Sequence, residues 1–139
     1  MPFSPPPGVV EVQGILKKSG QVTLNAAGSG VITFTPDSGW QRWEVTSVTV
    51  STNQLSTATV VPIATLALNA VDPVQSSPGN VQGATYSGNL DTFAGDVVDV
   101  GPADFLSVMF TCPAGLSPAT LSGVLAMAVI NGTKYTRRA

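Results

Sequence analysis

The densest gathering of chemically capable side chains in the sequence is Asp91, Asp96, Asp99 and Asp104. Three or four aspartate oxygens can hold calcium where loops converge them, and two acids across a cleft can hydrolyse a glycosidic bond. The spacing is not that of an EF-hand loop, and Asp96 and Asp99 alternate to opposite faces of one strand. The four read best as solvated strand ends. The sequence contains no histidine, which removes the commonest general base and the commonest metal ligand together. Cys112 is the single cysteine, so neither a disulfide framework nor a cysteine zinc cage is available. Gly28-Ser29-Gly30 opens like a dinucleotide fingerprint, but Thr33 stands where its third glycine is needed and no βαβ pattern follows. The expectation is no catalytic residue, no cofactor and no metal.

Binding is the other chemistry on offer. Trp40, Trp43 and Tyr86 could stack on sugar rings, because each joins an apolar face to a polar edge. The competing reading puts at least one tryptophan in the core. Asn131-Gly132-Thr133 fits a glycosylation sequon and reads here as a tight turn. Basic residues sit near the two ends: Lys17 and Lys18, then Lys134, Arg137 and Arg138, with Arg42 alone between. Residues 19–133 set that one arginine against seven carboxylates. A net charge of −2 and an isoelectric point near 4.7 give no electrostatic case for nucleic acid.

Charged residues make up 10% of the 139, against about 25% in an average soluble domain. Disorder does not account for this, since disordered chains are rich in charge and poor in apolar residues. Val, Thr and Ile total 38 residues, and β-branched side chains favour the pleated surface of a sheet. Faces of Ser, Thr and Val can lie against another protein without burying charge. The opening residues lack a basic segment followed by an apolar run, so no signal peptide is expected. The apolar run Leu121–Ile130 is too short to span a bilayer.

The elements that must position these residues are short strands between turn signals. Residues 1–20 read as an extended proline-rich N-terminal arm. Pro5-Pro6-Pro7 favours polyproline II, and Lys17-Lys18-Ser19-Gly20 reads as a turn. The arm is either a first edge strand or a reach to a neighbouring subunit. Strands follow at 21–25, 31–35, 43–51, 58–68, 96–100, 105–111 and 120–131, with a short piece at Thr85-Tyr86. Residues 21–25 and 31–35 read as a hairpin or neighbours, and the phase shift between Val45 and Val48 predicts a bulge near Ser47. Residues 134–139 read as a basic C-terminal tail. The fold class is all-β: a single antiparallel β-sandwich or jelly-roll-like domain of about eight strands at 21–133, with an extended N-terminal arm.

The segment Trp43-Glu44-Val45-Thr46-Ser47-Val48-Thr49-Val50-Ser51-Thr52, followed by Gly83-Ala84-Thr85-Tyr86-Ser87-Gly88-Asn89-Leu90-Asp91-Thr92, resembles small virion proteins of actinobacterial tailed phages, of the minor tail or capsid accessory type. The likeness covers residues 21–133, and its distinctive piece is Tyr86 to Asp91. It implies assembly without catalysis, in a homo-oligomer that contacts copies of itself and other virion proteins, with no nucleic acid and no membrane. It places the chain in the virion after synthesis in the host cytoplasm. Outside the likeness, the residues themselves nominate Phe3, Val9, Val10, Val12, Lys134, Arg137 and Arg138 as assembly contacts. The alternative is a carbohydrate-binding host-adhesion module built on Trp40, Trp43 or Tyr86.

Overall fold

The computed structural model describes residues 10–69 and 86–138. Eight strands run through them: β1 (Val10–Thr23), β2 (Gly30–Phe34), β3 (Gln41–Thr52), β4 (Ile63–Leu68), β5 (Tyr86–Ser87), β6 (Leu90–Val100), β7 (Leu106–Thr111) and β8 (Leu125–Arg138). They form two antiparallel four-stranded sheets, in the orders β1-β8-β3-β6 and β2-β7-β4-β5. Successive strands change sheet at every step except β4 to β5, and this interleaving is the strand order of a jelly roll. The all-β sandwich expected from the β-branched composition is therefore the fold.

Several boundaries differ from the sequence reading. Lys17-Lys18-Ser19-Gly20 is not a turn: it lies inside β1, whose fourteen residues pair one to one with β8 from Val10↔Arg138 to Thr23↔Leu125. Residues 10–20 are thus an edge strand of the first sheet, while residues 1–9 lie outside the described part. Lys134–Arg138 is not a tail but the end of β8, held by β1 along one side and, as far as Thr136, by β3 along the other. Backbone pairing, on one side for β1 and on two for β8, outweighs the polar character of these segments, because each buried N–H and C=O must find a partner. Residues 21–25 and 31–35 form no hairpin, since β1 and β2 belong to different sheets. The chain turns the corner through Asn25, whose side-chain oxygen accepts the Ala27 and Ser29 N–H groups at 2.9 and 3.1 Å.

The core is filled by the alternating inward residues of both sheets, among them Leu16, Trp43, Val45, Val48, Val50, Leu66, Val108, Phe110 and Ile130. The bulge expected near Ser47 is at Thr46, where the register of β3 shifts against both β6 and β8. Gly132 faces this bulge. A Cβ there would run into the Glu44 carbonyl, so the glycine of the supposed Asn131-Gly132-Thr133 turn serves a close backbone approach within a strand. On the far side of the second sheet, Ala67 and Met109 form a small separate cluster with Val31 against them. Ser107 stands beside it in register, opposite Ala67, fully buried and with its hydroxyl unpartnered.

Gly132→Ala is expected to cost at least about 2 kcal/mol in urea unfolding, because the obstruction is backbone. Gly39→Ala, where nothing lies within 4 Å, is expected to stay within about 0.5 kcal/mol. Ser107→Ala removes a buried hydroxyl that has no partner, so it should be neutral or stabilising by up to about 1 kcal/mol in the same assay.

Candidate interaction face of the first sheet

Strand alternation places the outward side chains of the first sheet in cross-strand rows. At the end where β1 begins, these rows are Glu11 with Arg137, then Gln13, Tyr135 and Arg42, then Ile15, Thr133, Glu44 and Asp99. Beyond Thr46 comes the row of Lys17, Asn131 and Ser47, and after it Ser19, Val129, Thr49 and Thr92, then Gln21, Met127, Ser51 and Leu90. The face thus carries charge from Glu11 as far as Lys17, and the half from the Ser19 row onward carries none.

In the charged half, Arg42 is the centre. Its guanidinium donates to both Glu11 oxygens, Nε at 2.9 Å and Nη2 at 3.2 Å, and to Glu44 at 3.3 Å. The same group lies over the Tyr135 ring at 4.0 Å from the centroid. Side-chain exposure is 8% for Arg42, 14% for Glu11 and 30% for Glu44, so this is a desolvated, bidentate pair on the solvent side of a sheet. The hydrogen bond to Glu11, above all, raises the guanidinium pKa above its ordinary value, while burial acts the other way. The cluster joins β1, β8 and β3. Sequence reading passed over it; the available signal was that Arg42 is the one basic residue between Lys18 and Lys134.

The uncharged half is a ridge of Leu125, Met127 and Val129, half-buried, between rows of hydroxyls. Thr49 and Thr92 hydrogen-bond to each other at 3.2 Å, and Leu90 is 73% exposed. A shallow groove of about 300 Å³ runs along the β1–β8 seam here, lined by Ser19, Gly20, Gln21, Met127, Ala128 and Val129. Its walls are the outward side chains of Ser19 and Gln21 on one strand and of Met127 and Val129 on the other, with the Gly20 and Ala128 backbone as its floor.

The residues nominated from sequence are scattered. Phe3 and Val9 lie outside the described residues. Val10 and Arg138 are register partners at the end of the β1–β8 ladder. Val12 is 42% exposed on the inward side, and the Lys134 stem lies over Gly14. Arg137 stands opposite Glu11, and its N–H donates to the Trp40 carbonyl at 2.7 Å.

The three glycan candidates do not form a platform. Trp43 is 1% exposed in the core, its Nε1–H given to Gln41, so its ring is closed to a sugar. Trp40 is 61% exposed at the β2–β3 turn. Tyr86 is in β5, and its side chain lies outside the described part.

Two of the four aspartates hold turns. Asp91 accepts the N–H groups of Ser87 and Thr92. Asp104 accepts from Gly101 and from the Asn69 amide. Asp99 lies on the outer face beside Glu44, and the Asp96 side chain lies outside the described part. Among the described residues no three His, Cys, Asp or Glu side chains gather to hold a metal. Compared with protein-family models and with curated proteins, the chain matches none.

Neutralising Glu11, the buried bidentate partner, leaves the desolvated Arg42 with only the longer contact to Glu44. Glu11→Gln is expected to cost about 3 kcal/mol, whereas Glu44→Gln, at the exposed side, should cost less than about 1 kcal/mol. Urea unfolding of both variants at low and at 1 M salt checks this. A Glu11 effect that vanishes with salt would place the pair in solvent instead.

Proposed function

We propose that this chain is a non-enzymatic virion structural protein of a tailed phage, a homo-oligomer of the tail or capsid that contacts copies of itself and other virion proteins. The observation that carries this is the uncharged outer half of the first sheet on a rigid jelly-roll body. A face of Val, Met, Leu, Ser and Thr can be covered without desolvating ions, as contact cores require. Jelly rolls serve as capsid components and as lectins, so architecture alone is an analogy. The carboxylates also favour assembly over catalysis, since Asp91 and Asp104 already cap turns and Glu11 is spent on Arg42.

An antibody against the chain should decorate particles released from producing cells at regular intervals along tail or capsid in immunoelectron microscopy. Label confined to the soluble fraction would overturn the assignment.

A second reading, a carbohydrate-binding adhesion module, has one observation behind it: Trp40 at 61% exposure. Because Trp43 is sealed in the core, the red-shifted, quenchable part of the fluorescence belongs to Trp40. Cell-wall glycan binding at Trp40 predicts a blue shift of that component and its loss in Trp40→Ala. A titration that leaves the emission unchanged removes the module.

A further inference from the structure

We infer that the groove between β1 and β8 at Gly20 receives the proline-rich segment of residues 1–9 from a second copy of the chain. This rests on the assembly role proposed above and names its contact. Three observations lead there.

The first concerns the edges of the first sheet, which are poor docking sites. β1 carries Lys17 exposed at mid-strand, while Lys18 is held by Asp37 at 2.8 Å, so an antiparallel pairing of β1 with its own copy centred on Lys17 sets like charges side by side. At the other edge, β6 has three residues between Ala94 and Val98 where β3 has one between Val45 and Ser47, an irregularity that interrupts an exposed ladder. Association is thereby directed to the face.

The second observation is chemical match. The groove is lined by Ser19, Gly20, Gln21, Met127, Ala128 and Val129, with no ionisable group. Residues 2–9, Pro-Phe-Ser-Pro-Pro-Pro-Gly-Val, carry no ionisable side chain either. A polyproline II segment has little conformational entropy left to lose on docking, and its pyrrolidine rings present apolar surface to the Met127 and Val129 side chains of the groove.

The third observation is reach. β1 starts at the charged end and runs toward the groove, so residues 1–9 join the strand at the end farther from it. Ser19, opposite Val129 in the ladder, lies about 30 Å from Val10 at the usual strand rise. Phe3 is seven residues from Val10 and reaches about 22 Å as polyproline II, before any residues are used to reverse direction. The segment falls short of its own groove. A neighbour's groove has no such limit.

The test uses two single-site partners. Deleting residues 1–9 leaves all eight strands, whereas deleting 1–18 would remove most of β1. Val129→Lys alters an outward side chain on the ridge. By sedimentation velocity the full chain should assemble, and each variant alone should be monomeric with an unchanged far-ultraviolet spectrum. Mixed, they should form a one-to-one heterodimer, since one supplies the segment and the other the groove. A full chain that assembles while either variant assembles equally well, or a mixture that stays monomeric, overturns the segment-in-groove contact and leaves the assembly role standing. A full chain that remains monomeric up to millimolar concentration overturns the assembly role itself.

Discussion

The first sheet depends on β8 being paired along both sides at once. Its fourteen residues satisfy β1 on one flank and, from Ala126 to Thr136, β3 on the other. A strand so enclosed must have every backbone group satisfied by its neighbours, which fixes the register of three strands together. The bulge at Thr46 is admitted at one point, and β8 meets it with Gly132, where any side chain would strike the Glu44 carbonyl. Slipping β3 by one residue would turn Val48 and Val50 out to solvent, slipping β8 would expose Ala128 and Ile130, and slipping β1 would expose Leu16. Backbone pairing and core burial therefore specify the same arrangement.

That long sheet outruns its partner. Strands of 11 to 14 residues face strands of 2 to 6, so part of the first sheet needs support other than the opposite layer. At the β1 end this support comes from two sources. On the inner side Trp43 is locked by Gln41, whose amide also reaches Thr136. On the outer side Arg42 ties β1 to β3 across Tyr135. The same residues make one half of the outer face polar and closed, and leave the uncharged half as the surface open to a partner. Scarcity of charge thus acts locally: the few ions are concentrated where the sheet needs bracing and are absent where it is available for contact.

Much of this was legible in the residues. β-branched composition and turn spacing led to an all-β sandwich, and the broken alternation between Val45 and Val48 located the bulge to within a residue. The boundaries of β1 and β8 were not legible. Lys17-Lys18-Ser19-Gly20 and Asn131-Gly132-Thr133 carry ordinary turn signals, and local propensity has no term for a strand pinned by neighbours about 115 residues away. Arg42 was visible as an isolated basic residue, yet nothing near it in sequence announced Glu11 or Tyr135 as partners.

By itself, then, the sequence determined the class of fold and the kind of surface, because composition and alternation are properties of each segment alone. Which aspartates are spent on turns, which tryptophan is sealed and which is bare, and where the charges end along the outer face were decided only by tertiary structure. Those outcomes depend on cross-strand register, and register is set by the simultaneous pairing of segments that are distant in the chain.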